Sequence, residues 1–229
     1  MKKNIIELVM ACLLLVSFFF LSREAAKTVQ EMNATDVNNV ILVDAGHGGD
    51  DPGMIGVNGL EEKGINLSIS EKLKKNLEKK GFKVIMTREE DKGLYEENSR
   101  NQKAQDLQNR IALISKYKPV LSVSIHQNSY SDPAVYGPQV FYYKDSVEGE
   151  KLAQALQAQL NDQLKVKRPR SPKGDRTYYL LKRSEGVLNI VECGFLTNPS
   201  EASLLQTEEY QEKVAQAVTD GICNYLDKD

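Results

Sequence analysis

The stretch Val40–Gly49, VILVDAGHGG, constrains the fold of this chain more than any other. Four apolar residues run together, Asp44 follows, and the chain then turns through Ala-Gly to His47. A short apolar run bounded by turn residues reads as a fully buried strand. His47 stands just past that strand's end, where ligands bind in α/β sheets. The chain has only two histidines. The second, His126, follows an equally apolar strand, Pro119–Ile125 (PVLSVSI).

Between and after these strands the pattern alternates. Gly46–Gly59 holds glycines and a proline and reads as an irregular loop. Glu62–Lys80 reads as a helix, with Ile65, Ile69, Leu73 and Leu77 on one face and Gly81 as its stop. Lys83–Thr87 is a second strand. Arg88–Lys103 is long and almost wholly polar, and a helix over Ala104–Tyr117 leads into the His126 strand. Gly137–Tyr143 reads as a strand and Val147–Leu164 as a helix. Lys165–Arg176 is a basic loop, and either a solvated loop or a lip for an anionic polymer fits it. Tyr178–Leu181 and Val187–Val191 read as strands, the latter ending at Glu192. Helices near Ser200–Gln206 and over Glu208–Leu226 close the chain. Strands alternating with helices predict a single-domain α/β fold: an open, largely parallel, twisted sheet with helices on both faces.

Composition sets the class. With 41% hydrophobic and 27% charged residues the chain is globular rather than disordered. A formal net charge of -2 gives no sign of a nucleic-acid partner. The first residues differ from the rest. Lys2 and Lys3 precede the weakly polar to apolar run Leu8–Leu21, so residues 1–26 read as a signal peptide or a membrane anchor, with cleavage and retention both open. Residues 27–39 read as a tether and 40–229 as the exported domain. Cys12 faintly suggests lipidation, but most of the apolar run lies after it. Cys193 and Cys223 remain; unpaired, buried thiols are the simpler expectation.

The chemistry of two strand-end histidines admits two readings, structural imidazoles or metal ligands. Zinc at a hydrolytic site usually has three protein ligands plus a water. Glu62, opening the helix after the glycine loop, is the best third ligand, and Glu61 is its neighbour and competitor. A residue one position away on a helix points about 100° elsewhere, so only one of them can face the site. Gln127 and Asn128, following His126, either orient ligands, hold substrate or are plain loop polarity. The water's proton needs a base, and Glu192, emerging from an apolar strand, is the candidate. Its alternative is an ion pair with a core lysine or arginine. No H-E-x-x-H and no G-x-S-x-G is present. A Cys193 nucleophile would need the histidine that the metal reading already uses.

Five segments carry a resemblance: DAGHGGDDPG (44–53), NGLEEKGINL (58–67), TREED (87–91), SVSIHQNS (122–129) and VECGFLTNPSEASLL (191–205). In this order they resemble the zinc-dependent N-acetylmuramoyl-L-alanine amidases of the amidase-3 type. The single-domain layout, with one targeting segment and no wall-binding repeats, is most similar to the family's spore-cortex member. The resemblance implies zinc (Zn2+) held by His47, Glu62 and His126, and Glu192 as the catalytic glutamate. It favours Glu62 over Glu61, because the family's ligand directly precedes the lysine, here Lys63. It implies cleavage of the amide between N-acetylmuramic acid and L-alanine in peptidoglycan, in spore cortex linked to germination, outside the cytoplasm. The chain departs from the family at Ala45, usually proline, at Gly64, usually acidic, and at Gln127-Asn128-Ser129, usually smaller; none removes a ligand. The inhibitory helix that some relatives insert after the equivalent of Val140–Tyr143 has no counterpart here. Control is therefore expected from a separate exported regulatory protein, with Arg88–Lys103 as its surface. The alternatives are another exported zinc hydrolase, such as a peptidoglycan deacetylase or peptidase, and a catalytically silent wall-binding relative.

Overall fold

The structure is a computed structural model that describes residues 10, 17–23 and 39–226. The chain divides into two units, residues 1–39 and 40–229. In the first, the expected targeting segment and tether lie mostly outside the described residues. Among those described, no helix is long and apolar enough to cross a membrane.

The second unit carries the fold. Six strands order as β2-β1-β3-β6-β4-β5: β1 Val40–Ala45, β2 Lys83–Met86, β3 Leu121–Asn128, β4 Gln139–Tyr143, β5 Lys173–Asp175 and β6 Leu188–Phe195. β2, β1, β3 and β6 run parallel; β4 is antiparallel to β6, and β5 is parallel to β4. The helices are α1 Glu62–Lys79, α2 Gln102–Tyr117, α3 Val147–Gln163, α4 Tyr179–Arg183, α5 Pro199–Leu205 and α6 Glu208–Leu226.

Strand alternation explains the two cores. Ile41, Val43, Leu121, Val123 and Ile125 point to the face covered by Ile65, Ile69, Leu73 and Leu77 of α1, Leu152, Leu156 and Leu160 of α3, and Val214, Val218 and Ile222 of α6. Leu42, Leu188 and Ile190 point the other way, where Ile114 of α2 and Leu180 and Leu181 of α4 close a smaller core with Phe141. The largely parallel sheet with helices on both faces is thus as the sequence predicts.

Four local expectations fail. Tyr178–Leu181, read as a strand, is the start of α4. A four-residue apolar run has no periodicity to distinguish the two states; here Leu180 and Leu181 bury against helix and sheet while β4 and β5 fill the edge. β5 lies unrecognised inside the basic run because an edge strand of Lys-Gly-Asp has no apolar face to betray it. β6 does not stop at Val191. It continues through Glu192 to Phe195, pairing with β3 across a register shift, so Glu192 lies inside the strand. His126 likewise falls within β3 rather than past it. Cys193 is buried and is a free thiol, so it forms no disulfide with Cys223.

Candidate metal centre

The site forms at the C-terminal ends of β1, β3 and β6, with α1 supplying a carboxylate from its first turn. His47 follows β1 in a left-handed backbone conformation, φ 61°, unusual for a residue with a Cβ and typical of functional loops. The turn is fastened from below. Arg88, 3% exposed, donates from Nε to Ala45 O (3.0 Å) and from Nη2 to Gly46 O (3.0 Å) and Lys63 O (2.7 Å). Arg110 donates to Ala45 O (2.8 Å) and His47 O (2.7 Å) while pairing with Asp44 and Asp106. Two buried guanidinium groups thereby satisfy the carbonyls that a glycine loop leaves unpaired.

His47, Glu62 and His126 come together, each offering a ligand atom within 4.8 Å of the others'. The Glu62 carboxylate lies between the imidazoles, with His126 Nδ1 3.0 Å from Oε1 and His47 Nε2 3.2 Å from Oε2. The other His47 nitrogen, Nδ1, meets Asp51 Oδ2 at 2.8 Å, which fixes the ring plane. The Glu61 alternative separates cleanly: Glu61 is exposed and pairs with Lys63 at 3.4 Å, whereas Glu62 is 3% exposed.

Electrostatics follow from this crowding. Burial alone would raise the Glu62 carboxyl, but hydrogen bonds with His126 and His47 outweigh it and hold the group far below the usual range. Burial would lower His47; its hydrogen bonds to Asp51 and Glu62 instead raise it to about 9. A cation of borderline softness suits two imidazole nitrogens and a carboxylate, and it would replace the proton that this arrangement retains. The residues present therefore fit a bound divalent metal.

Glu192 of β6 is in direct register with His126 of β3, on the same face of the sheet. It is 6% exposed, and Oε2 has no hydrogen-bond partner. Burial, opposed by the charges of the two histidines, raises its carboxyl to about 7. The ion-pair alternative fails, since no lysine or arginine bridges Glu192 among the described residues. Burial beside this carboxylate pushes the Tyr178 phenol well above its usual value. A cleft of about 410 Å³ joins these groups, lined also by Met54, Asp51, Lys103 and Leu107.

A family model described as N-acetylmuramoyl-L-alanine amidase, of the amidase-3 type, matches residues 41–224. The chain belongs to this amidase family. The germination-specific N-acetylmuramoyl-L-alanine amidase of Bacillus subtilis (strain 168) is 38% identical over 190 residues, covering 82% of this chain and 79% of its own. The structure of the CwlD amidase from Clostridioides difficile in complex with the GerS lipoprotein has a TM-score of 0.81 at 40% identity, covering 84% of this chain and all of that one. AmiC2, an amidase of Nostoc punctiforme, has a TM-score of 0.73 at 29% identity, covering 83% and 98%. The amidase fold is thus shared, and the chain is an N-acetylmuramoyl-L-alanine amidase.

Several residues of this amidase site went unread in the sequence. Arg88, Asp51 and Asn66 sit inside the recognised segments without a role of their own. Arg110 had a signal, a charged side chain in helical phase with Leu107 and Ile114 on an inward face. Arg88–Lys103 also differs from expectation. Its inner side grips the glycine loop, with Asp91 accepting from Gly49 N (2.9 Å) and the Tyr95 hydroxyl accepting from Asp50 N (2.8 Å). The basic loop is partly tied down: Arg176 pairs with Asp145, and Arg170 donates to Tyr136 O and stacks on Phe195.

Proposed function

We propose that this amidase holds one zinc ion through His47, Glu62 and His126, and that Glu192 is its general base. The observation that carries the reading is the convergence of the three donors within 4.8 Å beside the buried Glu192 carboxylate, whose Oε2 has no hydrogen-bond partner while the Tyr178 phenol bonds the group. Zinc held there supplies Lewis acidity to the scissile carbonyl and acidifies the attacking water. The chain's residues do the rest. Asp51, bonded to the His47 nitrogen that faces away from Glu62, keeps that imidazole oriented. Glu192, with a carboxyl near neutrality, takes the water's proton and returns it to the amine of the departing L-alanine.

The substrate is peptidoglycan bearing stem peptides, and the name of the Bacillus subtilis relative supports a role in germination. The CwlD neighbour's complex with a lipoprotein supports an exported partner for this chain too. The outer side of the 88–103 segment, with Glu96, Glu97 and Arg100 exposed, is where we would seek it.

The test is product analysis with metal analysis. Digestion of purified peptidoglycan is expected to free stem peptides with N-terminal L-alanine; release of acetate, or of shorter peptides alone, would overturn the amide assignment. His126→Ala is expected to lose zinc, and equal zinc in both proteins would overturn the ligand set. Glu192→Gln is expected to keep zinc and lose about 10²- to 10⁴-fold in rate. Loss of zinc instead would make Glu192 a ligand.

A further inference from the structure

We propose that Gln127 is a positioning residue for the Glu62 carboxylate, acting through Asn66, and that it thereby sets the metal affinity of the site. The proposal rests on the reading of Glu62 as a ligand.

Glu62 Oε1 accepts from three directions: His126 Nδ1 at 3.0 Å, the Gln127 backbone N–H at 2.9 Å and Asn66 Nδ2 at 3.1 Å. Asn66 lies one turn along α1 and is fully buried. The same Nδ2 also donates to Gly46 O at 3.2 Å. Both amide protons of Asn66 are thus used on the site, one on the carboxylate and one on the glycine loop. Its Oδ1 must face away, and there it accepts from Gln127 Nε2 at 3.1 Å.

The donor pattern fixes the order of this relay. A reversed Asn66 amide would set Oδ1 against a carboxylate and a carbonyl, three acceptors with no proton between them. The Gln127 amino group rewards only the productive orientation. Gln127 is 4% exposed, and by strand alternation its side chain leaves β3 on the face opposite His126, towards α1. The residue borders the cleft that holds His126 and Glu192, but its amide is turned to Asn66.

The far end of the relay carries a cost. Gln127 Oε1 is buried with no nitrogen or oxygen donor among the described residues, and the further group against this side chain is the Cys193 thiol, a weak hydrogen-bonding partner. An orphaned buried acceptor destabilises a fold, and an apolar side chain of equal length would remove it. A glutamine at this position is accounted for by what its donor end does. Local penalties retained beside a site are expected where the site gains from them.

The experiment measures zinc dissociation by chelator competition on the full chain and thermal unfolding of the metal-free protein, for wild type and Gln127→Met. Outer-shell groups typically change metal affinity about 10- to 100-fold. Gln127→Met removes the orphaned Oε1 but leaves the buried Asn66 Oδ1 without its donor, so it is expected to weaken zinc binding by that factor with little net change in the unfolding temperature of the metal-free protein. A merely structural glutamine would give the opposite pattern, a lower unfolding temperature with unchanged zinc affinity, and that result would overturn the proposal. So would wild-type values in both measurements. If Gln127→Met does not fold, Gln127→Leu supplies the same comparison; failure of both to fold would show a packing role and overturn the proposal as well. A wild type that binds no zinc would overturn the reading of Glu62 itself, an outcome distinct from all of these.

Discussion

Asp44 ends the apolar part of β1 at 1% exposure, and a carboxylate there is tolerable only because everything around it donates. Arg110, Ser124 and Thr87 all reach it. Burial alone would raise its carboxyl; the Arg110 charge and the hydroxyl hydrogen bonds bring it from 3.8 to about 2. The sign follows: a depressed carboxyl adds stability that is full above about pH 4 and is lost as pH falls through its folded value, roughly 2 kcal/mol for a shift of this size. Asp44→Asn leaves Arg110 buried with only Asp106 as counter-charge. Removing one partner of a buried pair typically costs about 3–5 kcal/mol. Chemical denaturation at neutral pH is expected to show a loss of that order. The remaining stability of the variant should fall less steeply than wild type between about pH 4 and pH 2. Parallel acid profiles would mean that Asp44 is not the titrating group. The sequence placed Asp44 beside the site but could not reveal its partner, because Arg110 is 66 residues away in α2.

Among the elements, the glycine loop shows how backbone freedom becomes site geometry. Gly53 has φ +70°, and a Cβ there would lie 2.6 Å from both Glu62 Oε2 and His47 Cδ2. Gly59 has nearly the same backbone, φ +75°, with nothing within 4 Å of its missing Cβ. An alanine in a left-handed conformation costs roughly 1–2 kcal/mol wherever it sits. Gly59→Ala is therefore expected to lose about that much stability; Gly53→Ala is expected to lose more, because its Cβ must push Glu62 and His47 aside, and it alone of the two is expected to lose zinc affinity. Equal zinc affinity in the two variants would show that the loop repositions freely. The loop's limits and its histidine are legible from composition. Its fastening by Asp91 and Tyr95 is not, because 42 and 45 residues separate these donor–acceptor pairs and the intervening segment has no periodicity. For the same reason a deletion across 88–103 would damage the site as well as any partner surface. Charge reversal at the exposed Glu97 and Arg100 is the cleaner probe of a partner.

At the scale of the whole molecule, among the described residues every side chain of both hydrophobic cores belongs to residues 40–226. A chain lacking residues 1–39 is accordingly expected to unfold at the wild-type temperature and to bind zinc equally well, with any loss confined to localisation. A substantially lower unfolding temperature by calorimetry would show that the first unit contributes to the fold. What the sequence alone determined is what local pattern encodes. Apolar runs of strand length, the four-residue spacing in α1 and α3, and a histidine next to each of two apolar strands identify the α/β class and the residues of chemical interest, because period and residue type are local properties. Tertiary structure decided what depends on pairing and burial. The antiparallel β4 and the polar β5 arise from hydrogen bonding at a sheet edge, which leaves no hydrophobic signature. That Glu62 rather than Glu61 lies between the two imidazoles rests on which side chain the start of α1 turns inward, and the burial of Glu192 rests on β6 continuing past Val191 in register with His126. The relay from Gln127 through Asn66 to Glu62 exists only because α1 crosses the end of β3, a juxtaposition of residues more than 60 positions apart.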